Sequence, residues 1–165
     1  MRVMDLVEEY VLELRAANRS ENTVSDYRYH GLRFSRFLAS RGYPDDCAQI
    51  TPRIVREFQI TLKDTHSPKT ISNNIRALKA LFSWAVREEL LETNPMERIK
   101  TPAVPQEEFP VFDPADVDKL LAACDTKRLT GLRDFAIVML LFDSGLRVSE
   151  LVTLTDDDVD WHRGF

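Results

Sequence analysis

Arg147 is the residue of this sequence best suited to chemistry, because it stands at a predicted joint between two helices. Residues 136–142 form an unbroken apolar run that predicts a buried helix. Gly145 supplies the break that ends it, since glycine adopts left-handed backbone angles without a steric penalty. A planar, permanently charged guanidinium held at such a joint can grip two oxygens of a phosphate at once. The stretch therefore predicts a phosphate-binding arginine.

Two interpretations of Arg147 stay open on this pattern alone. Val148, Leu151 and Val152 follow at core spacing and predict a second packed helix, which would hold the guanidinium in place. The alternative is a surface arginine at a helix start, paired with Glu150 one turn further along. The two interpretations differ in whether Arg147 is positioned for a ligand or only solvated.

The elements around this joint belong to a chain of 165 residues, 44% hydrophobic and 30% charged, which can bury one good core or two small ones. No apolar run is long enough to span a bilayer, and the first residues lead quickly into a charged amphipathic pattern, so neither a membrane span nor a secretory signal is expected. Cys47 and Cys124 have no metal-ligand spacing and predict reduced thiols of a cytoplasmic protein, with a disulfide as the open alternative. Residues 156–158, three aspartates, predict a solvated turn rather than a metal site.

Charge is distributed unevenly along the chain, whose net charge of -5 argues against a generic nucleic-acid binder. Residues 1–104 hold 16 Lys and Arg against 14 Asp and Glu, whereas residues 105–165 hold 6 against 13. The change falls at a proline-rich stretch, which predicts an extended linker. We therefore expect a first domain at residues 1–100, a linker at 101–114 and a second domain at 115–165.

The first domain is predicted to consist of amphipathic helices, because apolar residues recur there at helical spacing. One helix spans about residues 3–17. Ser20, Thr51 and Ser67 are the predicted N-caps of three more, the last two followed by proline at the first helical position. In the second domain Asp113 is expected to cap a helix whose core stripe ends at Cys124, and residues 158–161 alternate like the start of a strand before a hairpin turn at 163–164.

The fourth predicted helix carries a row of cations and small hydrogen-bonding side chains. At spacings of three and four, the row consists of Lys69, Ser72, Arg76 and Lys79, with Thr70 and Asn73 nearby. Phosphate tracking and contact with base edges require these residue types. Charged rows on helices also often serve only solubility, so the pattern alone leaves both readings open. The second predicted helix is basic as well, with Arg28, Arg33, Arg36 and Arg41 against Asp26, and a solvated face is its simpler interpretation.

Several ordered motifs resemble those of the tyrosine recombinases, the family of phage integrases and Xer-type recombinases. Residues 20–27 are similar to its Ser-x-x-Thr-x-x-x-Tyr helix, and residues 67–85 resemble its second DNA-facing helix. Residues 94–96, Asn-Pro-Met, match the usual end of that module. Residues 133–154 resemble the first catalytic-arginine motif, with Ser144 where the family usually has threonine. The resemblance covers nearly the whole chain.

The resemblance implies a mostly α fold: a SAM-like orthogonal helical bundle, the core-binding domain, followed by a largely helical start of the catalytic domain. It implies binding to double-stranded DNA and, in full-length family members, strand breakage and rejoining through a 3′-phosphotyrosyl intermediate, without metal or other cofactor. Arg147 is then the first catalytic arginine, which meets charge on the transition-state phosphate, and Glu150 orients its neighbourhood. The DNA contacts are expected from Arg28, Lys69, Thr70, Asn73, Arg76 and Lys79.

By the same resemblance, the other catalytic groups and the nucleophilic tyrosine belong beyond Phe165. The four tyrosines of the chain all lie at residues 10–43, before the catalytic motif. We therefore expect an N-terminal portion that does not cleave DNA by itself. We also expect its second domain to have an apolar surface that is covered by self-association or by docking on the first domain. The full-length protein is expected to act as a tetramer on DNA.

Two rival functions stay open. The first is a non-catalytic DNA-binding protein that occupies recombination sites and blocks them. The second is a helical adaptor for a protein partner, which the acidic balance favours. The adaptor predicts no loss of DNA affinity when Lys69, Arg76 and Lys79 are replaced by alanine.

Overall fold

The computed structural model describes residues 1–105 and 111–159, and its regular structure is helical. The described helices are α1 (Val3–Ala16), α2 (Glu21–Arg41), α3 (Pro52–Lys63), α4 (Pro68–Arg87), α5 (Pro114–Ala122), α6 (Leu129–Ser144) and α7 (Val148–Leu151). Short 3₁₀ turns occur at Cys47–Gln49 and Asp156–Asp158, and one isolated bridge pairs Arg2 with Asp46. No strand is present among the described residues. The predicted mostly α fold is confirmed.

The chain divides into two compact units, Met1–Gln106 and Glu107–Phe165. The first contains α1 to α4 and a closed hydrophobic core; the second contains α5 to α7. The predicted start of a strand at 158–161 lies partly outside the described residues, and the predicted turn at 163–164 lies wholly outside them. Asp158, which is described, ends a 3₁₀ turn instead.

The predicted N-caps of the first unit are confirmed. The hydroxyl oxygens of Ser20, Thr51 and Ser67 each accept a hydrogen bond from the backbone N–H three residues on, at 3.2, 3.4 and 3.3 Å. These bonds satisfy donors that the first turn of a helix leaves without partners. α2 ends at Gly42, whose φ of 68° lies in the left-handed region. Local sequence signals therefore fix where these helices begin and where α2 ends.

The core of the first unit is built on three phenylalanines from three helices. Phe34 of α2, Phe58 of α3 and Phe82 of α4 are at most 1% exposed, and the rings of Phe34 and Phe58 meet edge to face with centroids 5.1 Å apart. Edge-to-face pairs gain energy beyond the area that they bury. Met96 and Ile99 complete this core after the end of α4, at 1% and 3% exposure.

Gly31 of α2 packs closely against Val7 of α1. A Cβ atom at this position would stand 2.3 Å from Cγ2 of Val7, which is itself 1% exposed. Real Cβ atoms do not approach another atom so closely, and a buried β-branched side chain has little freedom to move aside. The absence of a side chain at Gly31 therefore sets how near the two helices lie.

The second unit differs from the sequence-based expectation in its burial. Residues 136–142 do lie within a helix, α6, but the prediction that this helix is buried is wrong: Met139 and Phe142 are 42% and 55% exposed. Val148 and Val152, expected at core spacing, are 66% and 73% exposed. In the described part of this unit α6 has only α5 and α7 as neighbouring helices, too few to cover an apolar helix. Beside α6 lies an apolar groove lined by Val111, Phe112, Val117, Leu120, Val138, Leu141 and Phe142.

Candidate nucleic-acid interface

One side of α4 presents Lys69, Asn73 and Arg76 to solvent. These residues recur every three or four positions and therefore share one face of the helix. Thr70 and Lys79, at the edges of this face, are partly buried. Within residues 1–105 and 111–159, no carboxylate lies within ion-pair distance of the three cations of this set. Their charge is thus available to an external anion. We call Lys69, Thr70, Asn73, Arg76 and Lys79 the α4 face.

Ser72 does not belong to the α4 face, contrary to the sequence-based interpretation. It is 1% exposed, and its Oγ has no hydrogen-bond partner among the described residues. The predicted row that includes residue 72 lies along the boundary between the buried and the exposed side of α4. Lys79 reaches solvent from that boundary because its chain is long, whereas a serine there stays inside. The exposed side of α4 is centred on Asn73 instead.

The start of α4 is built to hold the first residues of the α4 face in place. Ser67 Oγ accepts from the Thr70 N–H at 3.3 Å and lies 3.1 Å from Thr70 Oγ1, and Pro68 occupies the first helical position. Proline fixes the backbone angle there, and the capping bond fixes the first turn. The partial positive charge at a helix N-terminus favours a nearby anion. Lys69 and Thr70 therefore lie where a phosphate is stabilised by the helix as well as by side chains.

A buried polar link attaches α4 to α2, and the sequence analysis missed it. His30 of α2 is 5% exposed, and its Nδ1 lies 3.0 Å from Oδ1 of Asn74, which is fully buried. Asn74 Nδ2 donates to the Thr70 carbonyl at 2.7 Å, so Asn74 Oδ1 is the acceptor and His30 Nδ1 carries the hydrogen. On its other side, His30 Nε2 lies 3.3 Å from the Asp26 carboxylate. An asparagine on the inner side of an amphipathic helix was the available signal of a buried partner.

Tyr29 and Arg33 form a second pair on α2, next to His30. The Arg33 guanidinium stacks over the Tyr29 ring, with 4.7 Å from Cζ to the ring centroid, and its Nη2 donates to the Tyr29 hydroxyl. A stacked and hydrogen-bonded guanidinium has fewer rotamers open to it than a free one. This part of α2 therefore offers a held cation beside the polar link to α4.

Arg28, predicted to contact DNA, makes an ion pair within the protein. Its Nε and Nη2 donate to the two carboxylate oxygens of Glu8 on α1, at 2.9 and 2.5 Å. The hydrogen bond and the charge of Glu8 raise the pKa of Arg28 above its ordinary value. The pair joins α1 to α2. A DNA contact by Arg28 stays a prediction, and it requires the guanidinium to leave Glu8 or to share it with a phosphate.

Arg147 stands at the N-terminus of the single-turn helix α7, just after the left-handed Gly145 (φ 66°) that ends α6. The Glu150 carboxylate accepts from the Arg147 backbone N–H at 2.8 Å and from its Nη1 at 2.9 Å. Glu150 therefore caps the helix and orients the guanidinium at once. The Arg147 side chain is 82% exposed, as the simpler interpretation of a surface arginine requires. Its catalytic role stays a prediction.

Neither a metal site nor a membrane span is found in the part of the chain that the structure describes. No three His, Cys, Asp or Glu side chains there are grouped so that they could hold a metal ion. None of the helices in the same residues combines the length and the apolar character needed to cross a bilayer.

Two family models match this chain. Residues 7–89 match the phage integrase N-terminal SAM-like domain, and residues 110–165 match the phage integrase family. The first match covers α2, α3 and α4 and most of α1, including the whole α4 face. The chain belongs to the phage integrase family of tyrosine recombinases, as the resemblance predicted.

Curated relatives are similar over almost the whole chain. It is 31% identical over 163 residues to the tyrosine recombinase XerD of Listeria monocytogenes serotype 4b, covering 98% of this chain and 55% of the relative. It is 32% identical over 141 residues to the tyrosine recombinase XerC of Myxococcus xanthus, covering 86% and 47%. The chain therefore spans about half the length of these relatives.

Solved structures share the fold. The integrase of transposon Tn1549, in complex with a circular intermediate DNA, superposes with a TM-score of 0.70 at 25% identity, over 97% of this chain and 50% of the other. A second structure of that integrase, in complex with transposon right end DNA, gives 0.69 at 28% identity. The integrase of mycobacterium phage Brujita, at 23% identity and a TM-score of 0.55, shares the fold alone.

Proposed function

We propose that this chain supplies the double-stranded DNA-binding part of a site-specific tyrosine recombinase, with the α4 face as its main contact surface. The observation that carries the proposal is the set of Lys69, Arg76 and Lys79, cations without carboxylate partners in the described residues, around the hydrogen-bonding Asn73 and Thr70. Lysine and arginine neutralise backbone phosphates, and asparagine can read adenine edges. The neighbouring integrase structures in complex with DNA support this assignment.

In the second unit we assign Arg147 to the phosphate at which strand exchange occurs. Its fork of donors suits two phosphate oxygens, and one of these donors, Nη1, is already oriented by its hydrogen bond to the Glu150 carboxylate. In the reaction proposed for the whole recombinase, a tyrosine hydroxyl attacks the phosphodiester, displaces the 5′-hydroxyl of the cut strand and forms a 3′-phosphotyrosyl bond. The 5′-hydroxyl of a new partner strand then attacks this bond, which restores a phosphodiester and releases the tyrosine. Fixed cations such as Arg147 stabilise the charge that develops on the phosphate.

The α4 face is tested by replacing Lys69, Arg76 and Lys79 with alanine and measuring binding to duplex DNA of arbitrary sequence by fluorescence anisotropy over a range of salt concentrations. We expect weaker binding and a salt slope lower by about 0.9 for each lost phosphate contact. The matched control replaces Arg41, Arg56 and Arg98, exposed arginines without ion pairs in the described residues, which removes the same charge from outside the α4 face. Equal effects of the two triple variants would mean that DNA binding depends on the net charge of the chain alone. Unchanged binding by the α4 variant would favour the protein-adaptor alternative.

A further inference from the structure

We propose that His30 is held as a positively charged imidazolium and that its second proton strengthens the attachment of α4 to α2. The inference does not depend on DNA binding, and it makes the stability of the α2–α4 contact sensitive to pH. Imidazole is the side chain whose charge ordinarily changes between about pH 5 and 8. His30 is 5% exposed and lies where the two helices meet.

Both ring nitrogens of His30 face oxygen atoms that accept hydrogen bonds. The atom of the Asn74 amide that lies 2.7 Å from the Thr70 carbonyl must be its nitrogen, because a carbonyl oxygen only accepts. The amide oxygen therefore faces His30 Nδ1, at 3.0 Å, and requires a hydrogen there. Nε2 lies 3.3 Å from the Asp26 carboxylate, which also only accepts when it is ionised. A neutral ring supplies one hydrogen for these two nitrogens, whereas an imidazolium supplies both.

The charges on α2 favour the second hydrogen. Asp26 is in direct contact with the His30 ring, and Tyr29 meets the same ring edge to face, with centroids 5.5 Å apart. Arg33 opposes another positive charge, but its guanidinium is engaged by the ring and the hydroxyl of Tyr29. Because the interaction between charges weakens with distance, the contact with Asp26 decides the sign. The Asp26 side chain is 64% exposed, so water screens this attraction and limits its size.

The neighbouring elements add little net charge at this point. α4 faces the His30 ring with Asn74, which is neutral. α1 brings Glu8 to this stretch of α2, where it is paired with Arg28. The turn after α3 carries His66, which lines a cleft beside α2 and is less buried than His30. His66 is therefore a suitable control for the effects of histidine titration in general.

The consequence is a stability that falls as pH rises. A folded state that holds the His30 proton more firmly than the unfolded chain takes up a proton from solvent on folding, so the stabilisation is present at low pH and is lost as the ring becomes neutral. The lone pair then left on Nε2 faces the Asp26 carboxylate. Asn74 connects the ring to the Thr70 carbonyl, so the loss weakens the attachment of the first turn of α4.

Long-range ¹H–¹⁵N NMR spectra of the imidazole rings test the protonation state directly, because they distinguish a nitrogen that carries a hydrogen from one that does not. At about pH 6, His30 of the wild type is expected to show two nitrogens that carry hydrogens. Asp26→Asn removes the charge of an exposed side chain and keeps its shape. In this variant the Nε2 hydrogen is expected to be lost at a lower pH than in the wild type. A wild-type Nε2 without hydrogen at pH 6, or identical titrations of the two proteins, would overturn the inference.

Urea denaturation at about pH 5.5 and pH 7 measures the effect on stability, since carboxylates stay ionised and the α-amino group stays largely protonated in this range. The midpoint of the wild type is expected to fall between the two pH values, and the midpoint of Asp26→Asn is expected to fall less. His66→Gln is the control and should keep the wild-type fall. Equal falls in the wild type and Asp26→Asn, or loss of the fall in His66→Gln, would overturn the inference. These measurements use no DNA, so their failure leaves the proposed function standing.

Discussion

His30 and Asn74 join the second and fourth helices through a single buried hydrogen bond, 3.0 Å between His30 Nδ1 and Asn74 Oδ1. The bond places the α4 face beside the arginines of α2, although neither partner is itself on the surface. The pair therefore positions the proposed DNA-binding residues without touching DNA.

Replacing His30 with phenylalanine is expected to lower the free energy of unfolding by about 1–3 kcal/mol, because it leaves Asn74 Oδ1 buried without a donor. Adding Asn74→Leu removes that acceptor and is expected to restore part of the loss, since an apolar pair of similar shape is nearly neutral. Chemical denaturation of the two single variants and the double variant gives the coupling free energy between His30 and Asn74. Strictly additive losses would show that the hydrogen bond is not what joins the helices.

Gly31→Ala is expected to destabilise the first unit by roughly 1–3 kcal/mol, because the new Cβ overlaps with Val7. The compensating variant Gly31→Ala/Val7→Ala opens space for the methyl group and is expected to lose less than the sum of its two single changes. Denaturant midpoints followed by circular dichroism measure both effects. A single Gly31→Ala variant as stable as the wild type would mean that α1 and α2 can move apart freely.

The two cysteines are expected to react at very different rates with a thiol reagent. Burial raises the pKa of Cys47 to about 12, so at pH 8 its thiol is protonated as well as inaccessible. Cys124 is partly exposed. Absorbance with Ellman's reagent should show one fast thiol, lost in Cys124→Ser and retained in Cys47→Ala, and both thiols fast in denaturant. Two fast thiols in the native chain would contradict the burial of Cys47.

The apolar groove beside α6 is expected to bind a hydrophobic dye or to be covered by self-association. Val111 and Phe112 on its rim are 91% and 68% exposed, and α6 adds Phe142 at 55%. Exposed patches of this kind usually mark a contact. Replacing Phe112 and Phe142 with serine should reduce dye fluorescence and any dimer seen by light scattering, whereas Leu12→Ser, an exposed leucine of α1, should not. A wild-type monomer that binds no dye would contradict this expectation.

The helices of the first unit could be predicted from sequence because their signals are local. Ser20, Thr51 and Ser67 lie immediately before the apolar periodicity that they cap, and the stripe of α4 has the helical period. Ser72 was wrongly assigned to the exposed side of α4. A row from Lys69 to Arg76 that includes residue 72 and a row that includes residue 73 both have helical spacing, so the spacing did not decide between them. Serine is polar enough to be assigned outside and small enough to be buried, so its type did not settle its side.

The contacts that organise the candidate site could not be predicted, because they join distant parts of the chain. His30 and Asn74 are 44 residues apart, and Arg28 lies 20 residues from Glu8. No periodicity relates such partners. The prediction that α6 is buried was wrong for a related reason. An apolar run shows that a helix has apolar side chains to bury, but whether they are buried depends on which other elements pack against the helix.

The closure of the first core by Met96 and Ile99 has a consequence for synthesis of the protein. Residue 99 completes that core, and it emerges from the ribosome before the apolar run at 136–142 does. At typical elongation rates roughly 2–8 s separate the two. The first four helices therefore have time to bury their own apolar surface before the apolar run at 136–142 emerges. Translation order itself limits mispairing between the two units.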